Sequence, residues 1–220
     1  MQEINLNRED KFLNNKREVN VGYLFFKRLI DISISFLGLV ILSPLLLLIA
    51  ALIKLESKGA AIFSQYRIGH KGKKFKMYKF RSMVEDAELL KKNLVEKNEM
   101  SGPMFKMKRD PRVTKIGKFI RKTSIDEIPQ LLNVLKGEMS LVGPRPSLES
   151  EVNDFEKWML KRLDVKPGLT CYWQVSGRND IGFEQWMNLD IKYVDERSIF
   201  VDIKLIFKTI FLLLGDRHAR

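Results

Sequence analysis

A single cysteine, Cys171, rules out a disulfide framework within the chain, and two distant histidines, His70 and His218, rule out a Cys/His zinc site. Any metal would therefore need oxygen ligands. A lone free thiol suits a reducing compartment. Repeats and low-complexity tracts are missing too. Acidic residues are the scarcer charge: 27 Asp and Glu against 39 Lys and Arg, a net charge of +12. That balance favours an anionic partner such as nucleic acid, anionic lipid or a phosphorylated substrate. What is present in 220 residues, 45% of them hydrophobic, is enough for one soluble domain plus extras.

Charge is absent altogether from Ile32 to Ile53, "ISISFLGLVILSPLLLLIAALI", about 22 residues and long enough to cross a bilayer. It lies too far in, with no small-residue cleavage site behind it, to be a secretory signal. Pro44 in its middle removes a backbone donor and clashes near Val40, predicting a kink or break at Ser43-Pro44, with the Ser43 hydroxyl available to the freed carbonyls. Each half would then run about 16 Å, half the hydrocarbon thickness. Both flanks are basic: Lys16, Arg17, Lys27 and Arg28 before, Lys54, Lys58, Arg67 and Lys71 after. Such flanks favour the cytoplasmic side at both ends, as a re-entrant hairpin would place them. A straight span and a buried soluble helix remain as alternatives.

Elsewhere the patterns are shorter. Residues 1–20 read as a polar tail. "AIFSQYRI" and "KKFKMYKF", joined by the four residues "GHKG", read as a β-hairpin. Phe75, Met77 and Lys79 fall on one face of the second strand and Lys74, Lys76, Tyr78 and Phe80 on the other. This is either a cationic ribbon beside a small core or a solvated strand whose lysines guard an edge. Met83–Met100 is helix-prone, and "SGPMFKMKRDPRVTKIG" reads as a loop. The last segment, "SIFVDIKLIFKTIFLLLGDRHAR", carries Lys204 and Lys208 on one helical face; it suits a helix in the membrane interface plane, or one packed on the core.

"TSIDEIPQLLNVLKGEMSLVGPRP" can be read two ways. As helix chemistry, Ser124 is an N-cap, Glu127 completes a capping box, Pro129 sits in the first turn, Leu131, Leu132, Val134 and Leu135 bury one face, and Gly137 stops the helix. That leaves Asp126 and the Pro-Arg-Pro turn unexplained. As a reaction centre, Asp126 and Glu127 supply a carboxylate nucleophile and ligands for Mg²⁺, and Arg145 neutralises phosphate charge beside Lys79 and Arg81.

"KRLIDI" ahead of an apolar segment with central Ser-Pro, then "QYRIGHKGKKFKMYKFRSM", "SIDEIPQLLNVLKGEMSLVGPRP" and "KPGLTCYWQVSGRN", occur in that order over about residues 22–214. Together they resemble the monotopic phosphoglycosyl transferases, bacterial enzymes that move sugar-1-phosphate to a polyprenyl phosphate. The resemblance implies that Asp126 is a nucleophile forming a phosphosugar intermediate and that Glu127 is linked to Mg²⁺. It implies that Arg145 binds phosphate and that Lys27 and Arg28 meet the lipid phosphate. Ser43 and Pro44 would turn the helix back, and Lys79 and Arg81 form a basic motif near the dyad. It also implies a UDP-sugar donor, UMP as leaving group and a role in polysaccharide or glycoconjugate assembly. Many family members carry further N-terminal transmembrane helices and an extra domain where this sequence has its polar stretch; catalysis is not expected to depend on the difference.

The expectation is thus an α+β, mostly helical protein. It has a tail (1–20), a re-entrant membrane helix (21–58), a cytoplasmic catalytic domain containing a β-hairpin (59–198) and a membrane-associated C-terminal helix (199–220), on the cytoplasmic face of a bacterial inner membrane. The expected partners are a nucleotide-sugar, polyprenyl phosphate and the membrane, with a homo-oligomer compatible and no nucleic acid, since none of its recognition signatures occurs. A glycosyltransferase releasing UDP and a non-catalytic basic membrane adaptor are the competing classes. "SGPMFKMKRDPRVT" and "GRNDIGFEQWMNLD" are candidate specificity segments, and neither identifies the sugar.

Overall fold

A computed structural model describes residues 20–92, 94, 107, 110–177 and 181–215. Residues 1–19 of the tail, the later part of Met83–Met100 and parts of both candidate specificity segments lie outside the described residues. Among the described residues the α-helices are, in chain order, α1 (Val21–Glu56), α2 (Ala87–Lys92), α3 (Lys115–Lys122), α4 (Leu131–Lys136), α5 (Glu149–Asn153), α6 (Tyr172–Val175), α7 (Phe183–Glu196) and α8 (Ile199–Gly215). The first, α1, is 36 residues long, about 54 Å at 1.5 Å per residue. Asn20 caps it, its Oδ1 accepting from Gly22 N at 2.9 Å. Helical conformation is not interrupted at Ser43-Pro44, contrary to the expected break. The local remedy is the expected one: Ser43 Oγ donates at 2.8 Å to the Val40 carbonyl that Pro44 cannot serve.

Both ends of α1 are fastened to the same body. Near its start, Arg28 donates to the carbonyls of Val134 (2.6 Å) and Leu135 (2.7 Å), at the end of α4 (Leu131–Lys136). Asp31 is buried and accepts from Ser140 Oγ and Leu141 N in β3 (Ser140–Val142). Lys27 pairs with the buried Asp202 at 2.9 Å on α8 (Ile199–Gly215). At the far end Ile49 and Ile53 pack with Ala61, Phe80 and Ile120, and Glu56 accepts from the first amides of α3 (Lys115–Lys122), Lys115 N at 2.7 Å and Ile116 N at 3.1 Å. Between these attachments α1 turns apolar side chains outward, Ile41 and Leu47 each 72% exposed.

The hairpin forms as expected, β1 (Ile62–Ile68) pairing antiparallel with β2 (Lys74–Phe80) from Ile62 opposite Phe80 to Ile68 opposite Lys74. Its connection, Gly69–Lys73, is one residue longer than expected, because Lys73 stays in the turn that Lys71 and Gly72 make with positive φ. Phe75 and Met77 enter one core cluster with Val134, Met139 and Tyr193, while Phe80 enters another beneath α1. The lysines divide accordingly: Lys74 and Lys76 are exposed, and Lys79 turns inward. α8 packs on the core along one face, as the second of its expected readings has it, and leaves the other face exposed. Asp202 and Leu205 are buried, whereas Lys204, Lys208, Phe200 (75% exposed) and Phe211 (72%) face out.

Two short strands, β3 and β4 (Gly168–Thr170), pair in parallel and launch the Pro-Arg-Pro turn. Gly143 N donates to Thr170 O at 2.8 Å and Gly168 N to Pro144 O at 2.9 Å, so the two backbones touch. A Cβ at Gly168 would stand 2.1 Å from Gly143 N, a backbone atom that cannot yield as a side chain would. Gly168→Ala should therefore destabilise the fold by about 2–4 kcal/mol, as overpacking does at its severe end. Gly182→Ala, where a new Cβ meets nothing within 4 Å, should leave the melting temperature within about 2 °C. Equal melting of the two variants would refute the close-approach argument.

Candidate active site

Asp126 and Glu127 lie in a 3₁₀ turn, Ile125–Gln130, rather than at the start of an α-helix. Ser124, the expected N-cap, takes left-handed backbone (φ 56°, ψ 15°), and its side chain caps nothing. The Glu127 amide still donates to Ser124 O at 3.2 Å, but the Glu127 side chain turns to Lys79 and Arg145. The capping box is thus replaced by a tight turn that projects two neighbouring carboxylates, and Leu132 is 45% exposed, so the buried face is narrower than its apolar sequence suggested. Gly137 (φ 79°) ends α4 as expected.

The turn gives the two carboxylates different surroundings. Oε1 of Glu127 accepts from Lys79 Nζ at 2.7 Å and from Arg145 at 3.1 Å, joining β2 to the Pro-Arg-Pro turn. Burial alone would raise the Glu127 carboxyl, but Lys79 and Arg145 more than offset it and hold it well below the usual range. Asp126 is 7% exposed, and among the described residues no side chain or backbone amide hydrogen-bonds its carboxylate, the nearby cations Lys79 and Arg145 closing on Glu127 instead. Burial, reinforced by the adjacent Glu127 charge, lifts it to about 6 against the pull of Lys79, Arg121 and Arg145. One carboxylate is held fixed and charged; its neighbour is left with a free face and a titration near neutrality.

Both sit in an open cleft of about 910 Å³ that Lys79, Arg121 and Arg145 also line. Away from the dyad the cleft becomes apolar, lined by Ile34 of α1, Leu131, Leu169, and Ile206, Ile210 and Leu213 of α8. Arg81 borders it too, but its guanidinium is engaged by the carbonyls of Ser57 (2.8 Å) and Lys58 (2.5 Å) just past the end of α1. Lys27 and Arg28 do not line it, and their donors are occupied by Asp202 and by backbone carbonyls. Of the sequence-singled residues, the structure brings together Asp126, Glu127, Lys79 and Arg145, and sets Lys27 and Arg28 apart. Arg121 escaped the sequence reading. It closes α3, donates from Nε to Ser82 Oγ at 2.8 Å, and comes beside Asp126 only because the Ser124 turn folds the chain back.

No group of three or more Asp, Glu, His or Cys able to hold a metal occurs among the described residues. A Mg²⁺ ion fits the dyad on different terms. It accepts one or two carboxylates and completes its shell with phosphate oxygens and water, and the open face of Asp126 leaves that space.

The raised carboxyl of Asp126 carries a stability consequence. A carboxyl whose folded pKa exceeds its unfolded value of about 4 supports the fold when protonated and opposes it as pH rises through about 6. Asp126→Asn should accordingly melt higher than the wild type at pH 7, by the equivalent of about 1–3 kcal/mol, with the advantage gone below about pH 4. Thermal melts across pH 4–8 measure it; a variant less stable at pH 7 would mean that the aspartate carboxylate supports the fold.

The sequence model for bacterial sugar transferases matches residues 22–216. The chain is 49% identical over 200 residues to a galactosyl transferase, CpsE, of Streptococcus agalactiae, covering 90% of this chain and 44% of that protein. It is 43% identical over 194 residues to the undecaprenyl-phosphate galactose phosphotransferase of Salmonella typhimurium, covering 86% and 40%. Against the exopolysaccharide production protein ExoY of Rhizobium meliloti, identity is 42% over 188 residues, with 84% and 83% covered. The chain thus spans less than half the length of the first two relatives and most of the third. Motif order, the site they build and the match across nearly all of its length agree: the chain belongs to the bacterial sugar transferase family.

Proposed function

We propose that this protein transfers sugar-1-phosphate from a UDP-sugar to a polyprenyl phosphate in two steps through Asp126, as an early membrane step in building a polysaccharide or glycoconjugate. The observation that carries the reading is the asymmetry of the dyad: Glu127 is locked by Lys79 and Arg145, whereas Asp126 is buried among cations with its carboxylate unengaged. In the first step an Asp126 oxygen attacks the phosphorus bearing the sugar, the bond to the bridging oxygen breaks, and UMP leaves with that electron pair. In the second, a phosphate oxygen of the polyprenyl phosphate attacks the same phosphorus and displaces Asp126, giving a polyprenyl diphosphate sugar. Splitting the transfer lets a soluble donor and a membrane-held acceptor visit one site in turn.

Arg145 and Arg121 line the cleft where the transferred phosphoryl group would carry its charge, and Lys79 fixes Glu127. Asp126 and Glu127 would hold Mg²⁺ together with the donor's diphosphate, and the ion would neutralise charge on the departing UMP. The apolar arm of the cleft suits the isoprenoid chain of the acceptor. Lys27 and Arg28, expected to meet the lipid phosphate, are better explained as fasteners, since Asp202 and the end of α4 already occupy them.

The same fasteners bear on topology. Arg28 and Glu56, on opposite sides of the apolar stretch, both hydrogen-bond one small body, which a straight span would divide across about 30 Å of hydrocarbon. This supports α1 entering and leaving by one face, the cytoplasmic one by its basic flanks. Single cysteines at Asn20 and Lys58 should both label from the cytoplasm only; Cys171 is fully buried and should not compete. Lys27→Gln with Arg28→Gln should expose part of the Asn20 population to the far side. Periplasmic labelling of Lys58→Cys or Asn20→Cys in the otherwise wild-type protein would defeat the one-face arrangement.

The reaction itself is tested by mass spectrometry with donor and Mg²⁺ but no acceptor. A sugar-phosphate adduct should form on the peptide holding Asp126, accompanied by UMP, and disappear when polyprenyl phosphate is added. Asp126→Asn should remain folded and lose about 10³-fold or more in turnover. kcat/KM should fall as pH drops below about 6, where the nucleophile takes up its proton. Release of UDP would instead indicate transfer of the sugar alone.

A further inference from the structure

A buried ion pair stands behind the Pro-Arg-Pro turn. Arg162, in the 3₁₀ helix Lys157–Asp164, has a side chain 1% exposed, and Asp190, on α7 (Phe183–Glu196), is fully buried; they meet at 2.6 Å. The surroundings are apolar, with Val152, Phe155, Met159, Leu163 and Trp186 in the same cluster. Phe155 and Trp186 rings lie 5.5 and 6.0 Å from the guanidinium carbon. Such a pair is seldom the most stable filling for an apolar core, because desolvation of both charges offsets their attraction.

Its other contacts give it a use. Arg162 donates at 2.7 Å to the backbone carbonyl of Arg145 and, through its other terminal nitrogen, to Ser147 Oγ. Arg145 is flanked by Pro144 and Pro146, so its neighbours bring no amide protons to the turn and two fixed φ angles. Among the described residues the other hydrogen bonds to the backbone of this turn lie on either side of Arg145: Gly168 N on Pro144 O, Arg67 Nη1 on Pro146 O at 3.4 Å, and Ile68 N on Ser147 O at 2.9 Å. Arg162 is the contact that falls on Arg145 itself. A planar guanidinium can serve Asp190, Ser147 and the Arg145 carbonyl together, whereas an ammonium has neither the reach nor the fork.

We propose that Arg162, held in place by Asp190, is a positioning residue for phosphoryl transfer: it fixes the backbone of Arg145 so that the Arg145 side chain meets Glu127 and the transferred phosphate. This rests on the reading of Arg145 as a phosphate ligand. The pair touches neither substrate nor dyad and acts only through the turn.

The test is a double-mutant cycle in the complete protein, with turnover and melting temperature read side by side. Arg162→Lys should lower turnover about 10–100-fold, the usual loss when a supporting contact lets a site slip by about an ångström. In an Arg145→Ala background the same change should cost less than about threefold, since the residue it positions is gone. Its effect on melting should be equal in both backgrounds. Full additivity in turnover would overturn the proposal. A second variant separates packing from positioning: Arg162→Met with Asp190→Leu removes the buried charges, should melt no lower than the wild type, and should still be slow. Wild-type turnover in that variant would also overturn it, and if it does not fold the lysine cycle decides. Nucleotide release is read in the same assay, so an error in the reaction appears as UDP from the wild type, and an error about Arg162 as unaltered or additive turnover.

Discussion

The Glu127 carboxylate is the tie on which the site depends. Through one oxygen it holds Lys79 from the hairpin and Arg145 from the Pro-Arg-Pro turn, two segments 66 residues apart in the chain. Three half-buried charges in one place would be expensive singly; together they satisfy one another, and removing any one leaves the others uncompensated. The tie also sets the character of its neighbour. Because Glu127 takes the hydrogen bonds of Lys79 and Arg145, Asp126 keeps an open carboxylate, and burial, with the adjacent Glu127 charge, raises its pKa against the pull of the same cations.

Arginine is used at two further points for the same physical task. Arg28 closes the carbonyl end of α4, and Arg81 closes that of α1. Each places a permanent charge against the negative end of a helix dipole; Arg28 bonds carbonyls of the last turn itself, and Arg81 those of Ser57 and Lys58 just beyond it. Glu56 answers in kind at the amide end of α3. Much of the basic surplus near the apolar helix therefore holds the protein together, and the cations left facing the cleft are the smaller, more specific set.

What was legible in the sequence was what local rules control. The hairpin follows from alternation around a Gly-rich turn, Gly137 from the need for a left-handed residue after α4, and the Ser43 bond to Val40 from the vacancy that Pro44 leaves. Asp126, Glu127, Lys79 and Arg145 were gathered through motif order, and the structure places them around one cleft. Ser124 was misread because serine is favoured as a cap and disfavoured at positive φ; only tertiary packing imposes that conformation. Arg81, Lys27 and Arg28 looked like free charge because their carbonyl and carboxylate partners lie 23 to 175 residues away. Arg121 and the Arg162–Asp190 pair had no local signature at all, since their meaning lies in what the fold sets beside them.

The double fastening of α1 has a consequence for how this segment can vary. Between Arg28 and Glu56 the helix works as a strut of fixed length, each residue adding about 1.5 Å and about 100° of rotation. Exchanging one outward apolar side chain for another leaves both fasteners in register. Adding or removing a single residue would swing one of them about a quarter of a turn away from its partners. The stretch that looks least constrained in composition is therefore tightly constrained in length, because its two ends must reach the end of α4 and the start of α3 at once.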